Sequence, residues 1–282
     1  MSLTQNNGVP AAETTVPPSE TRVPEQPDNV APPPAAAGAL RLQVFLAHAG
    51  IASRRASERL ILEGRVAVNG QTAAVLGAKV LPGDEVSVDG RVLRGETKLH
   101  YLAMNKPPEY ICSSRDPQGR RLALDLLPKD IQERLYSVGR LDYMSSGLIF
   151  FTNDGDFTAR LSHPSSMVEK EYLVESTVPV SGEAVDAFLA GLSVDGVWYQ
   201  AKSIEKLGRR TLKIVLIEGK NREIRRFFSH FHLHPARLQR IRIGPVLLGD
   251  LGEGKTRRLA QKELKALGDF SKAAGGRGAP CG

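Results

Sequence analysis

The run Gly139-Arg140-Leu141-Asp142-Tyr143-Met144-Ser145-Ser146-Gly147-Leu148-Ile149-Phe150-Phe151 constrains the fold more than any other stretch of the chain. It sets a lone carboxylate, Asp142, between an arginine and a Ser-Ser-Gly turn, then drives straight into an apolar segment. Consecutive large apolar residues behind a glycine turn predict a buried strand. Such a chain presents one acid on a short loop before a core strand, where a rigid scaffold can hold a catalytic group. On spacing alone the same Asp also fits an ordinary surface turn.

The rest of the composition narrows the setting. The 282 residues, 41% of them hydrophobic, suffice for one small and one medium domain with separate cores. No apolar stretch approaches the ~20 residues that cross a bilayer, and the first residues lack a secretory pattern, so a cytoplasmic protein without membrane contact is expected. Cys112 and Cys281 are too few and too far apart for a disulfide framework, and no Cys/His spacing suggests a metal site.

The net charge of +7 is unevenly spread. Residues 1–39 hold eight of the eighteen prolines and are net acidic. Between Glu205 and Arg242, eleven Lys or Arg face three acids. Phe227, Phe228, Phe231 and three histidines break up that cluster, so it belongs to a folded element and not to a solvated run. Its charge is the footprint of a polyanion partner.

Patterning divides the chain into a disordered Pro/Ala-rich leader (1–39), a small unit (40–90), a linker (91–99), a larger domain (100–262) and a basic Gly/Ala-rich tail (263–282), unstructured beyond about residue 268. In the small unit, helical spacing of Leu42, Phe45, Leu46 and Ala49 ends at Gly50, and Ser53 can cap a second helix closed by Gly64. Asn69-Gly70 and Asp89-Gly90 then mark hairpins. In the larger domain strands are expected at His100–Lys106, Tyr136–Val138, Lys170–Ser176, Trp198–Ile204 and Leu212–Ile217, with helices at Leu122–Leu127, Asp186–Leu192 and Asn221–His230. Strands and helices mix without strict alternation, which predicts α+β with a largely antiparallel sheet.

Three segments then carry a resemblance. The first is Gly139-Arg140-Leu141-Asp142 with its Ser-Ser-Gly-Leu continuation; the second is Lys170-Glu171-Tyr172; the third is Gly219-Lys220-Asn221-Arg222-Glu223-Ile224-Arg225. Together they resemble the RNA pseudouridine synthases, in particular the branch that acts on ribosomal RNA behind an S4 domain. The strand ending Asn105-Lys106-Pro107 is similar to the family's entry strand. Residues Ala49–Ala56 and Glu63–Gly70 resemble an S4 RNA-binding domain, with Arg54, Arg55, Arg59 and Arg65 as candidate phosphate contacts near a helix start. Singly, each arginine also fits a surface ion pair, such as Arg59 with Glu63.

The resemblance implies isomerisation of a uridine already in RNA, with no cofactor and no metal. Asp142 would be the catalytic carboxylate, with Arg225 beside it to keep it charged. Tyr172 would stack on the extruded uracil, while Arg140, Lys220 and Arg222 would grip RNA near the pocket and Arg226 farther along the helix. Leu148 and Ile214 would supply apolar pocket wall. His163-Pro164 points to large-subunit ribosomal RNA, free or within an assembly particle, with a monomer as the simple expectation. Two rival readings stand beside this one: a non-catalytic RNA-binding or ribosome-assembly factor, and a metal-dependent nuclease using Asp142, Asp154 and Asp156.

Overall fold

The computed structural model describes residues 39–93 and 98–275. The leader up to residue 38, linker residues 94–97 and the tail beyond residue 275 lie outside the described residues.

The small unit comprises β1 (Leu40–Arg41), α1 (Leu42–His48), α2 (Arg54–Leu62), β2 (Val66–Val68), β3 (Gln71–Thr72), β4 (Lys79–Val80), β5 (Val86–Val88) and β6 (Arg91–Val92). Ser53 Oγ accepts from Ala56 N at 3.2 Å and so starts α2 as its sequence predicts. Asn69-Gly70 and Asp89-Gly90 both take left-handed backbone at their two residues and close the β2–β3 and β5–β6 hairpins. The second hairpin carries the strand pairing to Val92, into the stretch read as linker. Leu42, Leu46, Ile61, Val66, Val80, Val86 and Val88 form its core.

The larger domain contains β7 (Tyr101–Lys106), β8 (Tyr136–Val138), β9 (Ser146–Thr152), α3 (Gly155–Ser162), β10 (Lys170–Ser176), α4 (Gly182–Ala190), β11 (Leu192–Val194), β12 (Val197–Tyr199), β13 (Ser203–Lys206), β14 (Thr211–Leu216), α5 (Glu223–His230), β15 (Pro235–Ile243), β16 (Val246–Leu247), β17 (Thr256–Arg258) and α6 (Gln261–Gly275). Its main sheet has nine strands: the path β13-β14-β10-β15-β9-β7-β17, with β8 beside β9 and β16 beside β15. All its pairings are antiparallel except β15 against β9, where Gln239 meets Ser146 and Arg240 meets Gly147. One face buries Ile149, Phe151, Val174 and Leu212 against α4 and α5, whose Phe188 and Phe227 rings stack 3.9 Å apart. Leu148, Phe150 and Ile243 pack on the other side with Phe157, Leu161 and Leu267 of α3 and α6.

Several elements differ from expectation. Trp198–Ile204 is not one strand: β12 pairs with β11 in a separate hairpin, and β13 pairs with β14. The helix expected at Asp186 starts four residues earlier, because Ser181 Oγ caps it through Ala184 N at 3.1 Å. The expected 263–282 tail is helical through Gly275, since Leu264 and Leu267 pack into the α3-side core. The long central strand β15 went unread, its Arg-x-x-Arg-x-Arg pattern hiding the buried Leu238, Arg240 and Ile243. No helix among the described residues is long and apolar enough to cross a membrane.

Candidate active site

Asp142 sits on the loop between β8 and β9. The loop is a tight turn closed by Ser145 N donating to the Asp142 carbonyl at 3.0 Å. Leu141 anchors its entry in the core, and Ser146 and Gly147 begin the buried strand. The carboxylate is thereby held 29% exposed at the lip of a cleft of about 340 Å³.

Two cations fix the loop from opposite sides. From α5, Arg225 Nη2 donates to the Met144 carbonyl at 3.0 Å and to Ser145 Oγ at 3.3 Å. Its Nε lies 3.6 Å from Asp142 Oδ2, an ion pair beyond hydrogen-bond length. The Ser145 hydroxyl is therefore tied to α5. From below, Lys106 Nζ donates to the carbonyls of Pro107 and Ser145, both at 2.8 Å, and approaches that of Tyr143 at 3.5 Å. Lys106 is wholly buried, and that burial pulls its pKa down to about 8 against the opposing pull of Cys112 and Asp142. Burial also lowers the Arg225 pKa, with Asp142 working the other way.

The cleft's sheet wall comes from strand register. Tyr172 on β10 faces Ile214 on β14 and Arg240 on β15, making one cross-strand row. Lys170, two residues before Tyr172, lines the same cleft and donates to the Ile217 carbonyl at 3.0 Å. Burial, then Arg240, brings the Lys170 pKa down to about 8. Arg240 is 5% exposed; its Nε donates to the Leu148 carbonyl at 2.6 Å.

The third wall is the turn into α5. Arg222 takes left-handed backbone at φ +52° and ends the turn, so the helix begins at Glu223, two residues later than expected. Glu223 is 4% exposed and accepts from Lys220 N at 3.1 Å; burial pushes its carboxyl up to about 7. Lys220 Nζ is held by the Trp198 carbonyl and Glu218, each at 2.7 Å.

Of the residues expected from sequence, Asp142, Arg140, Tyr172, Lys220 and Arg222 converge on this cleft, and Arg225 binds its loop. Leu148 does not line it: its side chain packs in the core on the α3 and α6 side, and only its carbonyl reaches the site, through Arg240. Ile214 is buried beside Tyr172 in the cross-strand row and is not part of the lining. The apolar wall comes instead from residues such as Leu141, Phe150, Leu216 and Leu238, with Lys170 and Arg240 set among them. Arg226 lies off the cleft, with Nη2 3.4 Å from Asn221 Oδ1. In the small unit Arg54, Arg55 and Arg59 are exposed, with Arg54 and Arg55 on a second cleft beside Arg134. Arg65 is engaged by Asp89 at 2.6 Å and Glu63 at 3.3 Å, taking the acid that could have paired with Arg59.

Asp154 is committed elsewhere: Oδ1 caps α3 at Phe157 N and Oδ2 accepts from Tyr101 Oη at 2.6 Å. It does not join Asp142 in a metal-binding group, and among the described residues no cluster of three or more His, Cys, Asp or Glu could hold one. Lys106, Glu223 and Arg240 were not singled out as site residues from sequence, and Lys170 only as the strand-face partner of Tyr172. Lysine at the end of the apolar strand Tyr101–Lys106 was a readable signal for the first.

Residues 100–230 match the model of the RNA pseudouridylate synthase family, and residues 40–86 match the S4 domain. An RNA pseudouridine synthase of Borreliella burgdorferi, named as uncharacterized, is 39% identical over 231 residues, spanning 80% of this chain and 92% of its own. The ribosomal large subunit pseudouridine synthase B of Bacillus subtilis is 35% identical over 243 residues, spanning 83% and 99%. A solved structure described as a pseudouridylate synthase superposes with a TM-score of 0.60 at 28% identity, over 81% of this chain and 99% of that one. An α+β fold behind an N-terminal S4 domain, matched along most of its length by these relatives, defines an RNA-modifying isomerase. The chain belongs to the RNA pseudouridine synthase family.

Proposed function

We propose that this enzyme converts uridine to pseudouridine in ribosomal RNA of the large subunit, with Asp142 acting on a nucleotide flipped into the cleft. The observation that carries this reading is the placement of Asp142, paired with Arg225 at 3.6 Å, on the cleft that Tyr172 walls. The name of the Bacillus subtilis relative supports the choice of RNA.

The reaction breaks the C1′–N1 bond and rejoins the base through C5. It is redox-neutral and consumes no second substrate. An ionised carboxylate at the sugar serves either route, by adding to the nucleoside or by taking a sugar proton. Arg225 orients the loop that carries Asp142 and sets a positive charge beside the carboxylate. Stacking on Tyr172 contributes about 1–3 kcal/mol, comparable with the cost of extruding the base. Exposed Arg54, Arg55 and Arg59 of the S4 domain would dock the RNA backbone.

The test is carbodiimide primer-extension mapping on unmodified small- and large-subunit ribosomal RNA, with wild type and Asp142→Asn, in EDTA. A single new stop on large-subunit RNA with wild type alone is expected. No stop on naked RNA or on ribosomal precursor particles, with RNA binding retained, would favour a non-catalytic binding factor.

A further inference from the structure

Arg240 is a buried cation whose hydrogen-bonding capacity is mostly unspent. Its Nε bond to the Leu148 carbonyl is its one side-chain hydrogen bond among the described residues, and its buried Nη2 has no acceptor. An unpaired buried guanidinium group is costly unless something else meets it. The residue lines the active-site cleft next to Tyr172 in the cross-strand row. Gly147 makes this possible: its backbone is at φ +101°, and a Cβ there would press on the Arg240 backbone. The strand bearing Arg240 thus lies against the strand that follows Asp142. Lys170 lines the same cleft, close enough for Arg240 to depress its pKa, so a buried and a half-buried cation share this floor.

The reaction proposed above supplies a matching charge. When C1′–N1 breaks, its electron pair leaves with the base, while C1′ takes the Asp142 oxygen or the sugar yields a proton to Asp142. The uracil then carries negative charge over N1, O2 and O4. Rejoining uses the base's own electrons to form C5–C1′ as the Asp142–C1′ bond breaks and frees the carboxylate, or as Asp142 returns the proton to the sugar; the C5 proton is lost and N1 gains one, so no co-reactant is needed.

We propose that Arg240 is a catalytic residue of this enzyme, donating through its guanidinium to a carbonyl oxygen of the flipped uracil and stabilising the charge that develops as the glycosidic bond breaks. This rests on the flipped-uridine reading above. Fixed donors aimed at developing charge act by preorganisation, and removing one typically lowers kcat by about 10²–10³-fold.

The experiment is a single-turnover comparison on large-subunit ribosomal RNA transcribed with uridine or with 5-fluorouridine, read by nuclease digestion and chromatography as the appearance of a C5-linked nucleoside: pseudouridine from uridine, and from 5-fluorouridine, which has no C5 proton to lose, the C5-linked fluorinated base as its water adduct. Fluorine makes the base a better leaving group, so it needs less help from a cation. Arg240→Gln should lose about 10²-fold or more on uridine RNA and less than about 10-fold on the fluorinated RNA. The ratio of the two rates within one preparation does not depend on the folded fraction. Arg240→Lys should fall between, and gives the same ratio should the glutamine variant fail to fold. Equal losses on both RNAs would overturn the proposal and leave Arg240 a structural tie to Leu148. Wild type inactive on both, like Asp142→Asn, would instead overturn the uridine-isomerising reading itself.

Discussion

Lys106 Nζ holds the Ser145 carbonyl at 2.8 Å from beneath the loop that carries Asp142, with no exposed surface of its own. The bond joins the entry strand β7 to the turn closed between Asp142 and Ser145. Replacing Lys106 with Met keeps the stem and deletes the donors, leaving loop carbonyls unsatisfied at about 1–3 kcal/mol for each one buried. A displacement of the carboxylate by about 1 Å is enough to cost about 10²-fold. Lys106→Met should therefore lower kcat at least about tenfold with KM nearly unchanged, and lower Tm. Steady-state kinetics beside a thermal melt would check this. A variant with lowered Tm but wild-type kcat would show that Lys106 only stabilises the fold.

Arg225 acts on the same loop from the helix side. With its side chain 14% exposed and its Nη2 committed to Met144 and Ser145, it has little surface left for RNA. Arg225→Met should reduce kcat about 10²-fold, the scale of a misplaced catalytic group, while RNA affinity at fixed salt stays within about threefold. Filter binding alongside single-turnover kinetics separates the two. Affinity falling in step with kcat would make Arg225 an RNA contact.

How far the sequence reached is visible in these residues. The meeting of Asp142, Tyr172 and Arg225 around one cleft was legible because each sits in a short contiguous pattern. The Asn69-Gly70 hairpin was legible because its turn chemistry is local. Arg240 was not, because its role depends on register: only the pairing Tyr172↔Arg240 and Arg240↔Gly147 brings it to the cleft. Leu148 was misplaced for a related reason, since in a strand buried on both faces apolarity alone does not say which core a side chain joins. The extension of α6 past residue 268 depends on where Leu264 and Leu267 pack, which is a tertiary fact.

Gly147 and Gly139 both hold positive φ, at +101° and +72°, yet a methyl group should affect them very differently. At Gly139 a Cβ meets nothing within 4 Å, so alanine costs only the backbone strain, about 1–2 kcal/mol. At Gly147 the same Cβ lies 2.6 Å from Arg240 N and closer still to its carbonyl, so β9 and β15 must separate. Gly147→Ala should lose on the order of 4 kcal/mol, or about 10 °C in Tm, and be inactive. Melts of the two variants side by side are decisive, and equal shifts would contradict the close strand approach.

Glu223 gives the enzyme a stability term that depends on pH. Burial lifts its carboxyl from an ordinary 4.5 to about 7, so the folded chain holds this proton more tightly than the unfolded one. That contribution is complete below pH 4.5 and is lost as pH rises through 7. Above that, folding must bury a charged carboxylate, partly compensated by Lys220 and Lys170. Glu223→Gln keeps an acceptor for Lys220 N at 3.1 Å but cannot ionise. The variant should gain on wild type by about 1–3 kcal/mol between about pH 5 and about pH 8, a few degrees in Tm. Thermal melts across that range check the slope. Wild-type and variant profiles that run parallel would mean that Glu223 titrates like an exposed acid and that its burial at the head of α5 carries no electrostatic cost.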